Sequence, residues 1–234
     1  MNRNNVFKAA VLAGIGLTSI LATQSASAAM LITEVNPAGS GTTSGYAADW
    51  FELTNTDSSA VDITGWKMDD NSFNAANSVA LQGVTSILGG QSVIFLETTA
   101  TDSTSVNTVF NNFKSAWFGS NVPSSLVLGY YSGSGVGLGT AGDGVIVFNG
   151  STQMAKVIFG AATAGKTFDN TAGLDNTTIS TVSAAGVNGA FLSNNGAETG
   201  SPGVAPVPVP AAGWMLLSGL GSLGILSKRK KSAK

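Results

Sequence analysis

The side chains that could do chemistry in this chain are carboxylates. Glu34, Asp49 and Glu52 are its first three acidic residues, and neighbouring strands could bring them together. Two such groups in a cleft, with their proton affinities pushed apart, would serve a hydrolase as acid and base. At turns and strand ends, bonded to backbone or solvated, the same residues would do no chemistry. Asp69-Asp70-Asn71-Ser72 and Asp169-Asn170 offer oxygen ligands of the kind calcium takes. The helix–loop–helix calcium spacing fails, because Phe73 stands fifth from Asp69 and no Gly stands sixth. Asp69, Asp70 and Asn71 are the metal candidates, set against a turn whose Asp and Asn side chains bond their own backbone. Beyond calcium at these positions no cofactor is expected.

Two absences narrow the chemistry. The chain has no His, so the commonest general base and metal ligand is missing, and Ser-His-Asp, Cys-His and zinc-protease sites are excluded. It has no Cys, so an exported domain of this sequence must be stabilised by its core. The run Ser132–Gly144 alternates Gly with small residues but lacks the Lys of a phosphate-binding loop and opens no helix, so a mobile or tightly turning surface loop is expected. Tyr130 and Tyr131 before it could stack on a sugar ring, or serve as ordinary strand residues.

Charge is unevenly distributed. All 13 acidic residues lie between the two ends, where only Lys67, Lys114, Lys156 and Lys166 oppose them. So acidic a section repels phosphate backbones, and no nucleic-acid partner is expected.

Short apolar runs between clusters of Gly, Ser, Thr and Asn predict an all-β domain. The expected strands are Leu31–Val35, Trp50–Asn55, Val61–Ile63 continued by Gly65–Met68, Val79–Leu81, Ser92–Glu97, Leu126–Tyr130, Gly144–Phe148 and Ala155–Phe159. Eight or nine short strands suggest a sandwich. Trp50 and Leu53 cannot share a face of a regular strand. Either a bulge intervenes, or Phe51 and Leu53 point inward with Trp50 on the other side. Trp66, after Gly65, is expected in the core. One segment has helical period: Val106, Val109, Phe110, Phe113 and Trp117 share one face. Thr104 or Ser105 is the expected cap, Gly119 the expected stop, and packing across the sandwich edge the expected role, with an aromatic ligand platform as the alternative.

Leu31-Ile32-Thr33-Glu34-Val35-Asn36, Asp49-Trp50-Phe51-Glu52-Leu53-Thr54-Asn55 and Val61-Asp62-Ile63-Thr64-Gly65-Trp66-Lys67-Met68 resemble the opening of a lamin-tail domain. Gly142–Phe148 and Gly200-Ser201-Pro202-Gly203 fit as well. The resemblance implies an immunoglobulin-like β-sandwich over residues 29–204 with one short amphipathic helix. The helical segment and the Gly-rich stretch resemble the bacterial exported branch of that family.

The ends speak of destination. Residues 1–28 read as a signal peptide, with Arg3 and Lys8, the apolar run Ala9–Leu21, and Ala26 and Ala28 as the small residues of a cleavage site. At the other end, Val207-Pro208-Val209-Pro210-Ala211-Ala212-Gly213-Trp214, an apolar stretch and the basic cluster Lys228, Arg229, Lys230 and Lys231 resemble a PEP-CTERM sorting signal of the Val-Pro-x-Pro-Ala-Ala type. Val209 stands where the plain form has Glu. Residues 205–210 are then a Pro-rich linker carrying the processing residues Pro208, Val209 and Pro210, residues 211–227 a transmembrane helix, and residues 228–234 a cytoplasmic tail held inside by its charge. Ala211–Leu226 is close to the lower length limit for a span, so an ordinary permanent anchor is the competing reading.

The expected protein is exported and non-enzymatic, an inner-membrane-anchored intermediate that then reaches the cell surface or extracellular matrix. Its expected partners are the export machinery and signal peptidase, an exosortase-type enzyme implied by the tail, the membrane transiently, and extracellular polysaccharide in adhesion or biofilm. A carboxylate-dependent exported hydrolase and a purely structural spacer are the alternatives.

Overall fold

A computed structural model describes residues 30–170 and 178–204. In chain order the elements are β1 (Met30–Asn36), β2 (Trp50–Asn55), β3 (Val61–Asp62), β4 (Lys67–Asp69), β5 (Val79–Ala80), β6 (Ser86–Ile87) and β7 (Ser92–Glu97). Then come α1 (Ser103–Phe118), β8 (Leu128–Tyr131), β9 (Asp143–Asn149), β10 (Thr152–Phe159), β11 (Phe168–Asp169), β12 (Thr178–Ile179), β13 (Phe191–Leu192) and β14 (Thr199–Gly200).

Alternation along the long strands makes the core. Ile32, Val35, Phe51, Leu53, Val93 and Phe95 face inward from one five-stranded sheet, ordered β11-β1-β2-β7-β8. Met68, Val145, Val147, Val157 and Phe159 face them from a second, ordered β12-β10-β9-β4-β5. Two sheets that each bury one apolar face against the other form a sandwich. Trp66 lies in this core, 2% exposed, as expected.

The first sheet is unusual in burying both faces. Every residue of β1 and β2 is buried. Phe51 and Leu53 point into the sandwich, while Trp50 points outward, so no bulge is needed in β2. The outward apolar set Trp50, Ile94, Leu96 and Leu128 must be covered, and α1 covers it with Phe113, Ala116 and Trp117. Trp50 meets Phe113 and Trp117 edge-on, with ring centroids 5.8 and 6.0 Å apart, the geometry favoured by ring quadrupoles. The helix therefore packs on the outer face of the sheet rather than across the sandwich edge, because that face is apolar and an edge is not. It also links β7 to β8, which run parallel and so need a crossover.

The cap of α1 is Asp102, not Thr104 or Ser105: its carboxylate accepts from Ser105 N at 2.9 Å. Gly119 ends the helix with φ 58°. The Gly-rich run takes the tightly turning form of the two expected, with one addition. Val136 and Leu138 plug into the core at 1% and 4% exposure, so the run closes one end of the sandwich instead of waving free.

Among the described residues no helix is long and apolar enough to cross a membrane. The signal peptide, the linker with Pro208, Val209 and Pro210, the span at 211–227 and the cluster Lys228–Lys231 lie outside the described residues, as do Ala26 and Ala28.

Phe113 is fully buried between the helix and the sheet. Phe113→Ala is expected to cost about 3–5 kcal/mol, the range for an emptied aromatic site, measured as loss of unfolding free energy in urea. A cost near zero would mean that α1 does not roof the sheet in solution.

Candidate functional site

A bulge in β1 creates the main cluster. The register between β1 and β2 shifts between Ile32 and Glu34, so Ile32 and Val35 both point inward while Thr33 and Glu34 both serve the outer face. Glu34 then pairs with Glu52 on one side and with Asp169 of β11 on the other. Three carboxylates thus share one face of one sheet. Sequence reasoning held Glu34 and Glu52 together, but kept Asp169 apart as a possible calcium ligand.

The cluster is sealed. Glu34 and Glu52 are each 1% exposed. Glu34 Oε1 accepts from Thr167 Oγ1 at 2.5 Å and from Ser201 N at 2.7 Å, and its Oε2 accepts from Ser201 Oγ at 3.2 Å. Glu52 Oε1 accepts from Thr33 Oγ1 at 2.6 Å, and Oε2 from Gly203 N at 2.6 Å. These donors are hydroxyls and backbone N–H groups, and none carries a charge. Thr33, Thr54 and Ser92 continue the hydroxyl chain across β1, β2 and β7. The lid is the segment after β13. A Cβ on Gly200 would stand 2.5 Å from Glu34 Oε1, so only Gly lets the lid approach this closely.

The same segment is fixed a second time. Tyr46 Oη donates to Glu198 Oε2 at 2.8 Å, Asn36 Nδ2 to Glu198 Oε1 at 2.7 Å, and Trp50 Nε1 to Tyr46 Oη at 2.9 Å. No sequence pattern pointed to Glu198, Tyr46 or Asn36. Their separations of more than 150 residues leave no local signal.

Burial sets the protonation. Desolvation, then the Glu52 charge, holds Glu34 well above the usual carboxylate range. Desolvation pushes Glu52 up to about 7, against the hydrogen bonds from Thr33 and Gly203.

Asp49 does not join this cluster. Its Oδ1 accepts from Ser40 N at 2.7 Å, and its backbone carbonyl from Glu97 N at 2.8 Å, at one end of the sandwich. The metal candidates form a braced turn. Asp69 Oδ2 accepts from Ser72 Oγ at 2.6 Å and Asn74 N at 2.7 Å, Asp70 Oδ1 accepts from Ser72 N, and Asn71 N donates to Asp143 Oδ1. Asn170 Nδ2 is likewise engaged, donating to the Ile32 carbonyl. No three acidic side chains among the described residues are arranged to hold an ion by themselves. Tyr131 is a core residue, whereas Tyr130 is half-buried and donates to Gln82 Oε1 at 3.0 Å.

The lamin tail domain family matches residues 23–198. A match over most of the chain, onto a two-sheet sandwich with one helix, defines the class: the chain belongs to the lamin tail domain family. That is a family of non-catalytic, immunoglobulin-like domains, in keeping with a non-enzymatic protein. No curated protein and no solved structure matches the chain.

The folded Glu52 carboxyl titrates near 7, against 4.5 for the free group. Its protonation therefore stabilises the fold fully below pH 4.5, and that contribution is lost as pH rises through 7. The expected loss of unfolding free energy between pH 4.5 and 8 is roughly 3 kcal/mol from Glu52, read from urea melts. Glu52→Gln should remove that share of the slope and leave the share that Glu34, Asp49 and Glu97, also raised by burial, contribute. A flat wild-type profile would show that Glu52 is ionised in the fold.

Proposed function

We propose that the chain is an exported, non-enzymatic surface or extracellular-matrix protein that acts in adhesion or exopolysaccharide and biofilm association. The observation that carries this reading is the three-part tail: Val207–Trp214 with its prolines, the apolar stretch, and Lys228–Lys231. A short apolar segment ending in Lys and Arg halts in a membrane with those charges inside. With the signal peptide at residues 1–28 it places the intervening domain outside the cytoplasm. An exosortase-type enzyme then cuts near Pro208–Pro210, and the sandwich is released to the surface or the surrounding polymer.

The form of the domain supports the same reading. A disulfide-free sandwich with both faces of one sheet buried is a rigid body whose loops can be presented to a polymer. The paired carboxylates that a hydrolase would need are sealed under residues 198–203, where no substrate can reach them. The hydrolase alternative has no cleft at Glu34 and Glu52.

Intact mass of the native protein, taken separately from membrane and released fractions of the source cells, tests the sorting. A released species beginning near Met30 and ending near Pro210 is expected. A membrane species alone, still carrying Lys234, would make the tail an ordinary anchor. Co-sedimentation of the released protein with the cells' own polysaccharide tests the binding, and its absence would leave a spacer.

A further inference from the structure

The inward-facing alternation that builds the core continues one step beyond it at one end of the sandwich. Two residues before Phe51 stands Asp49, two after Phe95 stands Glu97, and two before Val145 stands Asp143. Glu97 is in register with Tyr131 of β8, and its N–H donates to the Asp49 carbonyl. Both sheets thus end in carboxylates at the same mouth, which the run Ser132–Gly144 closes.

This mouth is incomplete. Tyr131 is 0% exposed, yet its hydroxyl has no hydrogen-bond partner. Burial holds its proton firmly, and the charges of Glu97, its register partner, and of Asp49 and Asp143 act the same way, so these carboxylates lie within electrostatic reach of the hydroxyl. A buried hydroxyl without a partner calls for something to fill the place. Asp143 is satisfied by Asn71, Gly139 and Gly144 N–H groups, and Asp49 has Ser40. The Glu97 carboxylate, by contrast, has no donor of its own. It lies against the loop so tightly that a Cβ on Gly133 would overlap its Oε1. A Cβ on Gly137 would stand 3.7 Å from Glu97 Oε1 and 3.9 Å from the Gly133 carbonyl oxygen, so that carbonyl shares the space. On its helix side Glu97 also lines a pocket of about 200 Å³ with Ser40, Ala48, Thr98 and Val109, through which water can reach its carboxylate.

We propose that this mouth is a calcium site, in which the Asp49 and Glu97 carboxylates, the Gly133 carbonyl and the Tyr131 hydroxyl supply oxygens and water completes the shell. Calcium takes six to eight oxygens from such a mixture of carboxylates, carbonyls and water. Two carboxylates suffice with neutral oxygens beside them, in keeping with the lack of any three-acid group. Burial pushes Asp49 up to about 6, and burial together with the Asp49 charge pushes Glu97 up to about 6. A cation there would reverse both shifts, and its binding would release protons. The site is separate from Asp69–Asn71 and does not depend on the matrix reading.

The test is calorimetric titration of calcium into the full chain, stripped with chelator in detergent, at pH 7 and pH 5. Saturable binding of one ion is expected, with Kd of about 10⁻⁴ to 10⁻³ M as in extracellular modules, weaker at pH 5 than at pH 7. Glu97→Gln and Asp49→Asn should each weaken it at least about tenfold, while Asp70→Asn leaves it unchanged. Glu97→Gln removes no hydrogen bond, so the fold should survive, checked by the thermal melt. No saturable binding by wild type up to about 10 mM calcium, or binding that persists in both E97Q and D49N, overturns the proposal. Loss in D70N alone would do the same by moving the ion to the Asp69–Asn74 turn.

Discussion

Two carboxylates buried side by side without a cationic partner set the terms for the rest of this fold. A buried ionised group without a partner is costly, so it must be neutralised, hydrogen-bonded or both. Glu34 and Glu52 have both remedies. Their proton affinities are raised, and their oxygens are met by Thr33, Thr167, Ser201 and Gly203. Two of those donors are backbone N–H groups of the last described residues. The sheet near the beginning of the domain is therefore satisfied only when its end has docked. Such pairing over more than 150 residues makes the fold close late and as a unit, since loop closure precedes its reward.

The bulge at Thr33 and the plain alternation of β2 divide the outer face of that sheet into two territories. Around Trp50 it is apolar and aromatic, and α1 roofs it. Around Glu34 and Glu52 it is polar, and the segment from Glu198 to Gly203 roofs it. Tyr46 joins the two: its ring packs edge-on against Phe113 at 5.1 Å, while its hydroxyl accepts a hydrogen bond from Trp50 Nε1 and donates one to Glu198. A domain with no disulfide thereby acquires a second buried layer, which adds apolar area at about 25 cal/mol per Å² without a larger sandwich core.

How much of this was legible in the sequence follows the length of each signal. Six-residue strands such as Trp50–Asn55 and Ser92–Glu97 carry a full alternating pattern, and the helix shows about three turns of apolar period from Val106 to Trp117. Those elements stand where they were expected, and Trp50 opposite Phe51 is one of the two arrangements left open. The strands β11 to β14 are two residues each, too short for any period, and they exist because tertiary contacts hold them. The Gly-rich run hid its two anchors, Val136 and Leu138, among six glycines. The cap at Asp102 lay two and three residues ahead of Thr104 and Ser105, the Thr and Ser that draw the eye. The carboxylate cluster was half legible, because Glu34 and Glu52 lie on long patterned strands while Asp169 sits on β11, a two-residue strand paired with β1.

The position of the lid gives the carboxylates a mechanical meaning if the tail is anchored as proposed. Gly203 N, bound to Glu52, is the last described donor to a carboxylate before the Pro-rich stretch at 205–210. Past the Val204 N–H on the Ser201 carbonyl, a pull on that stretch reaches the carboxylate bonds in the order Gly203, Ser201 and the Glu198 knot. Each is a hydrogen bond to a buried carboxyl, stronger in a dry setting than in water. Breaking the first admits water to Glu52 and favours its ionised form, which in turn repels Glu34. The lid is held at these carboxylate bonds, separate from the sandwich core beneath, which is packed through Phe51, Phe95 and Val147.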